Sequence, residues 1–346
     1  MRAAVVEGLG QIEVREVEDP EVSADSILLR VKACAICGSD MRIIFKGDSR
    51  ARFPMIAGHE MAAEVVEVGS GVSGFAPGDR VVVAPGVSCG ECYCCRNGWQ
   101  NLCVNMISIG YSWPGGFAEY MVPPPRAITQ GFVNKIPDSL PSEEATLVEP
   151  LACCINGQEL VKVARADSVA IIGAGPIGLM HAQLALRRGC DKVIIIQRSR
   201  RRLEMARERR AAQAFVSSLD EDPVERVLEE TEGRGADVVI VAAASKDAQA
   251  MALRMVGLRG RVSYFGGLTH GDSLTVLDTN LIHYKECVVR GASSSTSRQN
   301  KEAIDLLASG AVNAKELISH VFSLEEMGAA LEVVRGRRGL KVVVVP

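Results

Sequence analysis

The amino-acid sequence predicts an α/β protein in which a mainly β first part is followed by a doubly wound parallel sheet. Short alternating segments fill the first third of the chain, and strand- and helix-length segments alternate from Val169 onward. A glycine-rich turn joins the first strand and helix of that second region. The length of 346 residues is enough for two domains with cores of their own.

Composition and charge restrict the function classes. Charged residues make up 23% of the chain and hydrophobic residues 47%, as in globular rather than disordered proteins. The net charge of −3 gives no reason to expect nucleic acid or an anionic membrane surface as a partner. The N-terminal segment lacks an apolar signal core, and no apolar run approaches the ~18 residues of a membrane span. We therefore expect a cytoplasmic protein.

The first part of the chain carries strand signals. Residues 12–17 and 27–31 alternate apolar and polar side chains, which predicts antiparallel strands. Residues 64–68 and 80–84 are also strand-like, with glycine and proline turns between them. This part is therefore predicted to be a β domain with irregular connections.

In the second part, strands and helices alternate at the spacing of a doubly wound parallel sheet. The predicted strands cover residues 192–196, 237–241, 261–265 and 287–290. The predicted helices cover residues 199–210, 223–232, 246–256 and 278–284. Before this region, residues 143–163 are predicted to be helical with a break at Pro150.

The glycine-rich turn lies between a strand predicted over residues 169–172 and an apolar helix that runs to residue 186. Its G-x-G-x-x-G spacing permits a tight turn, close approach of the backbone to a pyrophosphate, and packing of the helix on the strand. The N–H groups at the helix N-terminus favour an anion. The residues predicted to hold a dinucleotide here are Gly173, Gly175, Pro176, Ile177 and Gly178.

The end of the next strand predicts which dinucleotide binds. An NAD-binding fold usually carries Asp or Glu there, about 20 residues past the glycines, to hold the ribose hydroxyls. Gln197 stands in its place and does not repel a 2′-phosphate. Arg198 and Arg202 supply fork-shaped donors suited to phosphate, and Ser199 supplies a hydroxyl. The alternative is a solvated basic helix start, but cations are disfavoured at a helix N-terminus. We predict NADP in preference to NAD.

A cysteine-rich lobe lies near residues 86–105. Its candidate ligands, at C-x2-C-x2-C-x7-C spacing, are Cys89, Cys92, Cys95 and Cys103. Four thiolates suit a closed tetrahedral zinc, and the spacing does not require Cys94. An iron–sulfur cluster and disulfides are the alternatives, and a reducing compartment favours metal over disulfides. A zinc without an open position stabilises the lobe and does no chemistry.

Further candidate ligands are spread along the first part. Cys37, His59 and Glu60 are of types that zinc accepts, although their separation in sequence does not by itself indicate a site. Composition alone favours a buried cysteine and a loop histidine. Ser39 is a hydroxyl two residues from Cys37, and Asp40 is suited to accept the second N–H of a metal-bound histidine.

These motifs together resemble the zinc-dependent medium-chain alcohol and polyol dehydrogenases over essentially the whole chain. The matching segments, in the family's order, are Cys37-Gly-Ser-Asp40, Gly58-His-Glu60, the cysteine-rich lobe, Glu149-Pro-Leu and the glycine-rich turn. The chain is most similar to the sorbitol and threonine dehydrogenase branch, which has glutamate in the Glu-Pro-Leu segment. The resemblance implies a GroES-like catalytic domain over residues 1–151, a Rossmann domain over residues 152–292 and a return to the catalytic domain over residues 293–346.

The resemblance also implies a catalytic zinc. Cys37 and His59 would be ligands, with Glu60 or Glu149 as the third. Ser39, beside Asp40, would take or pass on the proton of the substrate.

The cofactor side and the end of the proton path follow from the same resemblance. Ala242, Gly266 and Gly267 would lie near the nicotinamide ring. Arg42 stands near the place where several relatives have a proton-relay histidine, so the last proton step is left unassigned.

These expectations combine into one function with stated alternatives. We expect two zinc ions per chain, a homotetramer or homodimer, and oxidation of a secondary alcohol or polyol with NADP. One alternative is an L-threonine, other amino-alcohol or aldehyde dehydrogenase, but no group for the amine or the carboxylate of threonine can be assigned. The other is a non-catalytic NADPH-binding protein, which would not need the candidate ligands outside the cysteine-rich lobe.

Overall fold

The computed structural model describes residues 1–269 and 271–346 and divides the chain into two compact units. Unit 1 comprises Met1–Ala152 and Ser294–Pro346, and unit 2 comprises Cys153–Ser293. Each limit lies one residue from the division drawn from the sequence. Each unit has its own buried apolar cluster, and the predicted fold class is confirmed.

Unit 1 consists mainly of β-strands. They are Arg2–Gly8, Gln11–Glu16, Ile27–Ile36, Met55–Ile56, Glu60–Val68, Arg80–Val83, Gly86–Val87, Ile107–Ser108, Tyr120–Met121, Val133–Lys135, Ile318–Ser323 and Lys341–Val345. The α-helices are Gly38–Lys46, Tyr93–Arg96, Pro125–Thr129, Ser142–Ala145, Ser297–Ala308 and Met327–Arg335, with 3₁₀ turns at Gln100–Leu102 and Leu324–Glu326.

The central strand of unit 1 positions the site. Strand Ile27–Ile36 pairs antiparallel with Glu60–Val68 on one side and with Lys341–Val345 on the other. The register places Ala35 opposite Glu60 and Ile36 opposite Val342. The end of the central strand therefore meets the beginnings of both neighbours at one edge of the sheet.

Unit 2 is a parallel sheet flanked by helices. Its strands, in spatial order, are Ala214–Ser217, Lys192–Gln197, Ser168–Ile172, Ala236–Val241, Val256–Tyr264 and Val288–Gly291. Its helices are Pro176–Arg187, Arg200–Glu208, Pro223–Glu230, Lys246–Met255 and Thr279–Lys285. The sequence order reverses beside strand Ser168–Ile172, the place where doubly wound sheets bind ligands.

The structure corrects two details of the sequence analysis. Strand Ala214–Ser217 was not predicted, because four residues are too short to show a period. Helix Val148–Leu160 does not break at Pro150 but contains it in the first turn. Proline is tolerated there because the first N–H groups of a helix have no partner within it. Among the described residues, none of the helices combines the length and the apolar character that crossing a membrane requires.

His181, in helix Pro176–Arg187, predicts a loss of stability in acid. Burial lowers its pKa from 6.5 to about 3, and its Nε2 has no hydrogen-bond partner among the described residues. Below about pH 6.5 the histidine of the unfolded chain binds a proton, whereas that of the folded chain stays neutral down to about pH 3. The free energy of unfolding therefore decreases as the pH is lowered from about 6.5 to 3. We expect His181→Gln to flatten the pH dependence of urea unfolding by one proton. The exposed His283→Gln is the control, and equal slopes in both variants would contradict the account.

Candidate active site

The predicted ligands meet at the sheet edge. Cys37 directly follows strand Ile27–Ile36 and caps helix Gly38–Lys46, where its N–H donates to Asp40 Oδ2 at 2.8 Å. His59 precedes strand Glu60–Val68, which begins opposite the end of the central strand. One ligand atom from each of Cys37, His59 and Glu60 lies within 4.8 Å of the other two.

The histidine is oriented by two neighbours. His59 Nδ1 lies 3.0 Å from Asp40 Oδ1, and His59 Nε2 lies 3.3 Å from Ser39 Oγ. Burial lowers the pKa of His59, but the charge and hydrogen bond of Asp40, together with Cys37, outweigh it and raise the pKa well above its usual range. The surrounding groups therefore favour a cation here, and the donor set fits zinc with a carboxylate behind its histidine.

A buried lysine contacts both carboxylate oxygens of Glu60. Lys341 Nζ donates to Glu60 Oε1 at 2.6 Å, and the two side chains are 5% and 0% exposed. Burial raises the pKa of Glu60, and the charge of Lys341 offsets that only in part. Sequence analysis missed Lys341, whose only signal is a charge at the start of an apolar strand.

Glu149 is the other candidate third ligand. It lies in the first turn of helix Val148–Leu160, and no atom of it belongs to the group within 4.8 Å. It is near enough that its charge contributes to raising the pKa of Glu60. The structure thus brings Glu60, rather than Glu149, together with Cys37 and His59.

Two further side chains that sequence analysis did not identify lie beside the histidine. The ring centroid of Tyr111 lies 5.6 Å from that of His59, and Ser39 forms a hydrogen bond that lowers the pKa of Tyr111, although burial raises it more. The guanidinium carbon of Arg50 lies 4.2 Å from the Tyr111 ring centroid. Neither residue belongs to a motif that local spacing reveals.

The cysteine-rich lobe brings four sulfurs together. The Sγ–Sγ distances are 3.4 Å for Cys92–Cys95, 3.5 Å for Cys89–Cys103, and 3.9 Å for both Cys89–Cys95 and Cys92–Cys103. A tetrahedral ion with Zn–S bonds of about 2.3 Å has S–S edges of about 3.8 Å, whereas a disulfide needs about 2.05 Å. The arrangement fits zinc.

The electrostatics of the lobe also favour a cation. Backbone N–H groups of Cys95 and Val104 lower the pKa of Cys92 to about 6, while burial raises the pKa of Cys103 to about 12. Four thiolates held together therefore need a positive ion. Cys94 lies outside the group.

Adjacent cysteines provide a matched test of the lobe. We expect Cys95→Ser to lower the zinc content by one ion per chain and to lower the melting temperature by several degrees, because a structural zinc contributes directly to folding. Cys94→Ser is expected to change neither quantity. Metal analysis and thermal unfolding check both variants, and equal behaviour of the two would contradict the ligand assignment.

The glycine-rich turn is tightly packed in unit 2. Gly173 has a φ of +118°, and a Cβ on Gly178 would lie 1.8 Å from Gly173 O. Gly175 caps helix Pro176–Arg187, with Pro176 in its first turn. Ala242 N–H donates to Ile172 O at 3.0 Å, which places Ala242 beside this turn.

The side chains of residues 197–202, at the end of the second strand of unit 2, make specific contacts near the glycine-rich turn. Gln197 Oε1 accepts from Ala174 N at 2.8 Å, so this side chain also fixes the glycine-rich turn. Arg202 Nη1 lies 3.5 Å from the position of a Cβ on Gly175, whereas Arg198 is exposed. Ser199 accepts from Arg202 N at 3.4 Å as the cap of helix Arg200–Glu208. The structure brings Gln197 and Arg202 to the turn, and Arg198 is exposed next to Gln197.

Comparison with known proteins agrees with this geometry. Residues 23–138 match the alcohol dehydrogenase GroES-like domain, and residues 176–309 match the zinc-binding dehydrogenase model. The chain belongs to the zinc-type alcohol dehydrogenase family. It is therefore an oxidoreductase that acts on CH–OH groups, and the resemblance drawn from the motifs is confirmed.

Individual relatives differ in substrate. The chain is 33% identical to sorbitol dehydrogenase of Bacillus subtilis over 336 residues, covering 96% of this chain and 93% of the relative. It is 34% identical to L-threonine 3-dehydrogenase of Pyrococcus horikoshii over 336 residues, covering 96% and 94%. A zinc-binding dehydrogenase from Sinorhizobium meliloti, solved bound to NADP, superposes with a TM-score of 0.92 at 33% identity and covers 100% and 99% of the two chains.

Proposed function

We propose that this zinc-type alcohol dehydrogenase oxidises a secondary hydroxyl of a polyol to a ketone, with NADP as the preferred hydride acceptor. The observation that carries the proposal is the convergence of Cys37, His59 and Glu60 beside the hydroxyl of Ser39. These residues would hold a catalytic zinc, which supplies a Lewis acid that favours loss of the alcohol proton. Glu149 is retained as an alternative third ligand, and the four lobe cysteines would hold a second zinc.

The surrounding residues orient this set and handle the proton. The carboxylate of Asp40 can only accept, so His59 Nδ1 carries the proton and Nε2 is the nitrogen available to a metal. Ser39 Oγ lies on the Nε2 side, where its hydroxyl can take a proton from an alcohol as it donates its own to the hydroxyl oxygen of Tyr111. Tyr111 can take part in this relay only by releasing its own hydroxyl proton to solvent. Lys341 holds Glu60 in place through contacts with both of its carboxylate oxygens.

The nucleotide assignment is part of the proposal. Gln197 leaves the 2′ position without a carboxylate, and Arg202, Arg198 and Ser199 would contact the phosphate there. Two observations support this assignment: Arg202 lies beside Gly175 of the glycine-rich turn, and a relative was solved bound to NADP. We also propose that three residues lie near the nicotinamide: Ala242, Gly266 and Gly267. The protein itself is proposed to be a cytoplasmic homotetramer or homodimer.

The arginine assignment predicts a change in cofactor preference. Arg202→Gln is expected to raise the KM for NADP by roughly 10-fold or more, because a charge-assisted hydrogen bond to phosphate is lost, with little change for NAD. Arg201→Gln, an exposed neighbour on the same helix, is the control. Initial rates with both cofactors check this prediction. An equal rise in KM for NADP and NAD would contradict it and would indicate that the arginines only form a solvated helix start.

Substrate class is tested on zinc-loaded protein. Initial rates are measured with polyols, simple secondary alcohols and L-threonine, each with NADP and NAD. Turnover of a polyol with an NADP advantage supports the proposal. Preferred turnover of L-threonine would overturn the polyol assignment in favour of L-threonine dehydrogenation, the activity in the name of the Pyrococcus relative.

A further inference from the structure

A basic segment borders the candidate active site. Between residues 42 and 52 the cations are Arg42, Lys46, Arg50 and Arg52, against the single carboxylate of Asp48. This excess of positive charge is local, because the whole chain is slightly acidic. Such a concentration of cations beside a site attracts anionic ligands.

Arg50 is the cation of this segment that the structure holds in place. Its Nε and Nη2 contact the two carboxylate oxygens of Asp48 at 2.9 Å each, and Asp48 also accepts from the Arg50 backbone N at 3.1 Å. The hydrogen bonds from Arg50 lower the pKa of Asp48 to about 2, so the carboxylate stays charged. The Nη1 end of the guanidinium takes no part in this ion pair.

The same guanidinium lies near the reacting groups. It is stacked on the ring of Tyr111, which contacts both Ser39 and the ring of His59. Tyr111 therefore links the cation to the proposed proton acceptor, because it hydrogen-bonds to both Arg50 and Ser39. The side chain of Arg50 is 50% exposed, so a ligand in solvent can reach it.

We infer that Arg50 binds an anionic group at the far end of the substrate, and that the substrate is a phosphorylated polyol. This inference rests on the proposed function, because it assigns the second end of the same substrate. The Nη1 end of Arg50, which Asp48 does not contact, is the part of the guanidinium that would donate to a phosphate oxygen. Arg42, 3.7 Å from Asp48, adds a second cation, so Asp48 does not neutralise the pair.

The order of contacts, from Arg50 to Tyr111 to Ser39, distinguishes a phosphate from a threonine carboxylate. The carboxylate of threonine is joined to the carbon next to its carbinol carbon, so it must lie against the reacting hydroxyl. Arg50 contacts Tyr111, which in turn contacts Ser39, so a group bound by Arg50 belongs to a substrate that extends beyond the reacting carbon and its neighbour. A terminal phosphate on a polyol chain has that extension. The structure therefore favours a phosphate ester over an amino acid at this position.

The test compares a hexitol with its terminal phosphate ester. For zinc-loaded wild type, we expect kcat/KM to be at least about 10-fold higher with the ester, as expected for a charge-assisted contact. Arg50→Gln should lower kcat/KM for the ester, through KM, by about 10- to 100-fold more than it lowers kcat/KM for the hexitol. Arg50→Lys should recover part of the loss. Arg52→Gln, which removes the same charge from the same segment, is the matched control.

A second readout does not depend on turnover. Inorganic phosphate is titrated by calorimetry into zinc-loaded protein saturated with NADP, so that the nucleotide phosphate site is filled. Binding in wild type and Arg52→Gln, with loss in Arg50→Gln, supports the inference. Equal binding in all three proteins overturns it.

The outcomes separate this inference from the proposed function. Oxidation of the hexitol without advantage for the ester overturns the phosphate inference and leaves the proposed function standing. Equal losses with both substrates in Arg50→Gln show that the residue only positions Tyr111, which also overturns it. Phosphate binding that needs Arg50, in an enzyme that oxidises neither compound, supports the anion site and overturns the polyol assignment.

Discussion

Ser39→Ala is expected to lower kcat by about 100- to 10,000-fold, the range supplied by a positioned proton acceptor. Zinc content and NADP affinity should not change, because the hydroxyl is neither a proposed ligand nor part of unit 2. The reason for the large effect is position: Ser39 Oγ is 3.3 Å from His59 Nε2 and contacts Tyr111.

Two companion variants make this result specific. Ser39→Thr keeps a hydroxyl and should retain much of the rate, whereas Ser49→Ala removes an exposed hydroxyl and should have no effect. Steady-state kinetics with the best substrate, together with metal analysis of each sample, provides the comparison. An unchanged kcat in Ser39→Ala would remove this residue from the proton path.

In zinc-free protein, Lys341→Met should destabilise unit 1 by about 3–5 kcal/mol, because it leaves the buried carboxylate of Glu60 without its ion-pair partner. The exposed pair of Lys135 with Asp79 is the control, and Lys135→Met should cost less than about 1 kcal/mol. Urea unfolding of the zinc-free proteins, followed by circular dichroism, measures both.

The double variant Glu60→Gln/Lys341→Met tests the cause. Removing the carboxylate charge as well should recover part of the stability, since the penalty comes from the unpaired charge. If the free energy of unfolding of Lys341→Met lies within about 1 kcal/mol of the wild-type value, the buried ion pair does not hold Glu60. A loss that small is typical of exposed ion pairs.

Sequence reasoning worked best where the chemistry is local. Four lobe cysteines within fifteen positions and three glycines within six define their geometry almost by themselves, because few backbone paths satisfy such short spacings. The order of further motifs then gave the family, and the family gave Cys37 and His59 their proposed roles as ligands.

The remainder depends on pairing across the sheet. Lys341 and Glu60 are 281 positions apart, and only the register of strand Lys341–Val345 against the central strand brings them together. The same limit prevented a choice between Glu60 and Glu149 from motifs alone. Arg50 and Tyr111 meet through loops that no period describes.

The most direct test of the account is the zinc content per chain of wild type and Cys37→Ser after dialysis. The account predicts two zinc ions in wild type, and one in the variant, which retains the ion held by the four lobe cysteines. One zinc ion in both proteins would contradict the central claim, because it would show that Cys37, His59 and Glu60 do not hold a metal.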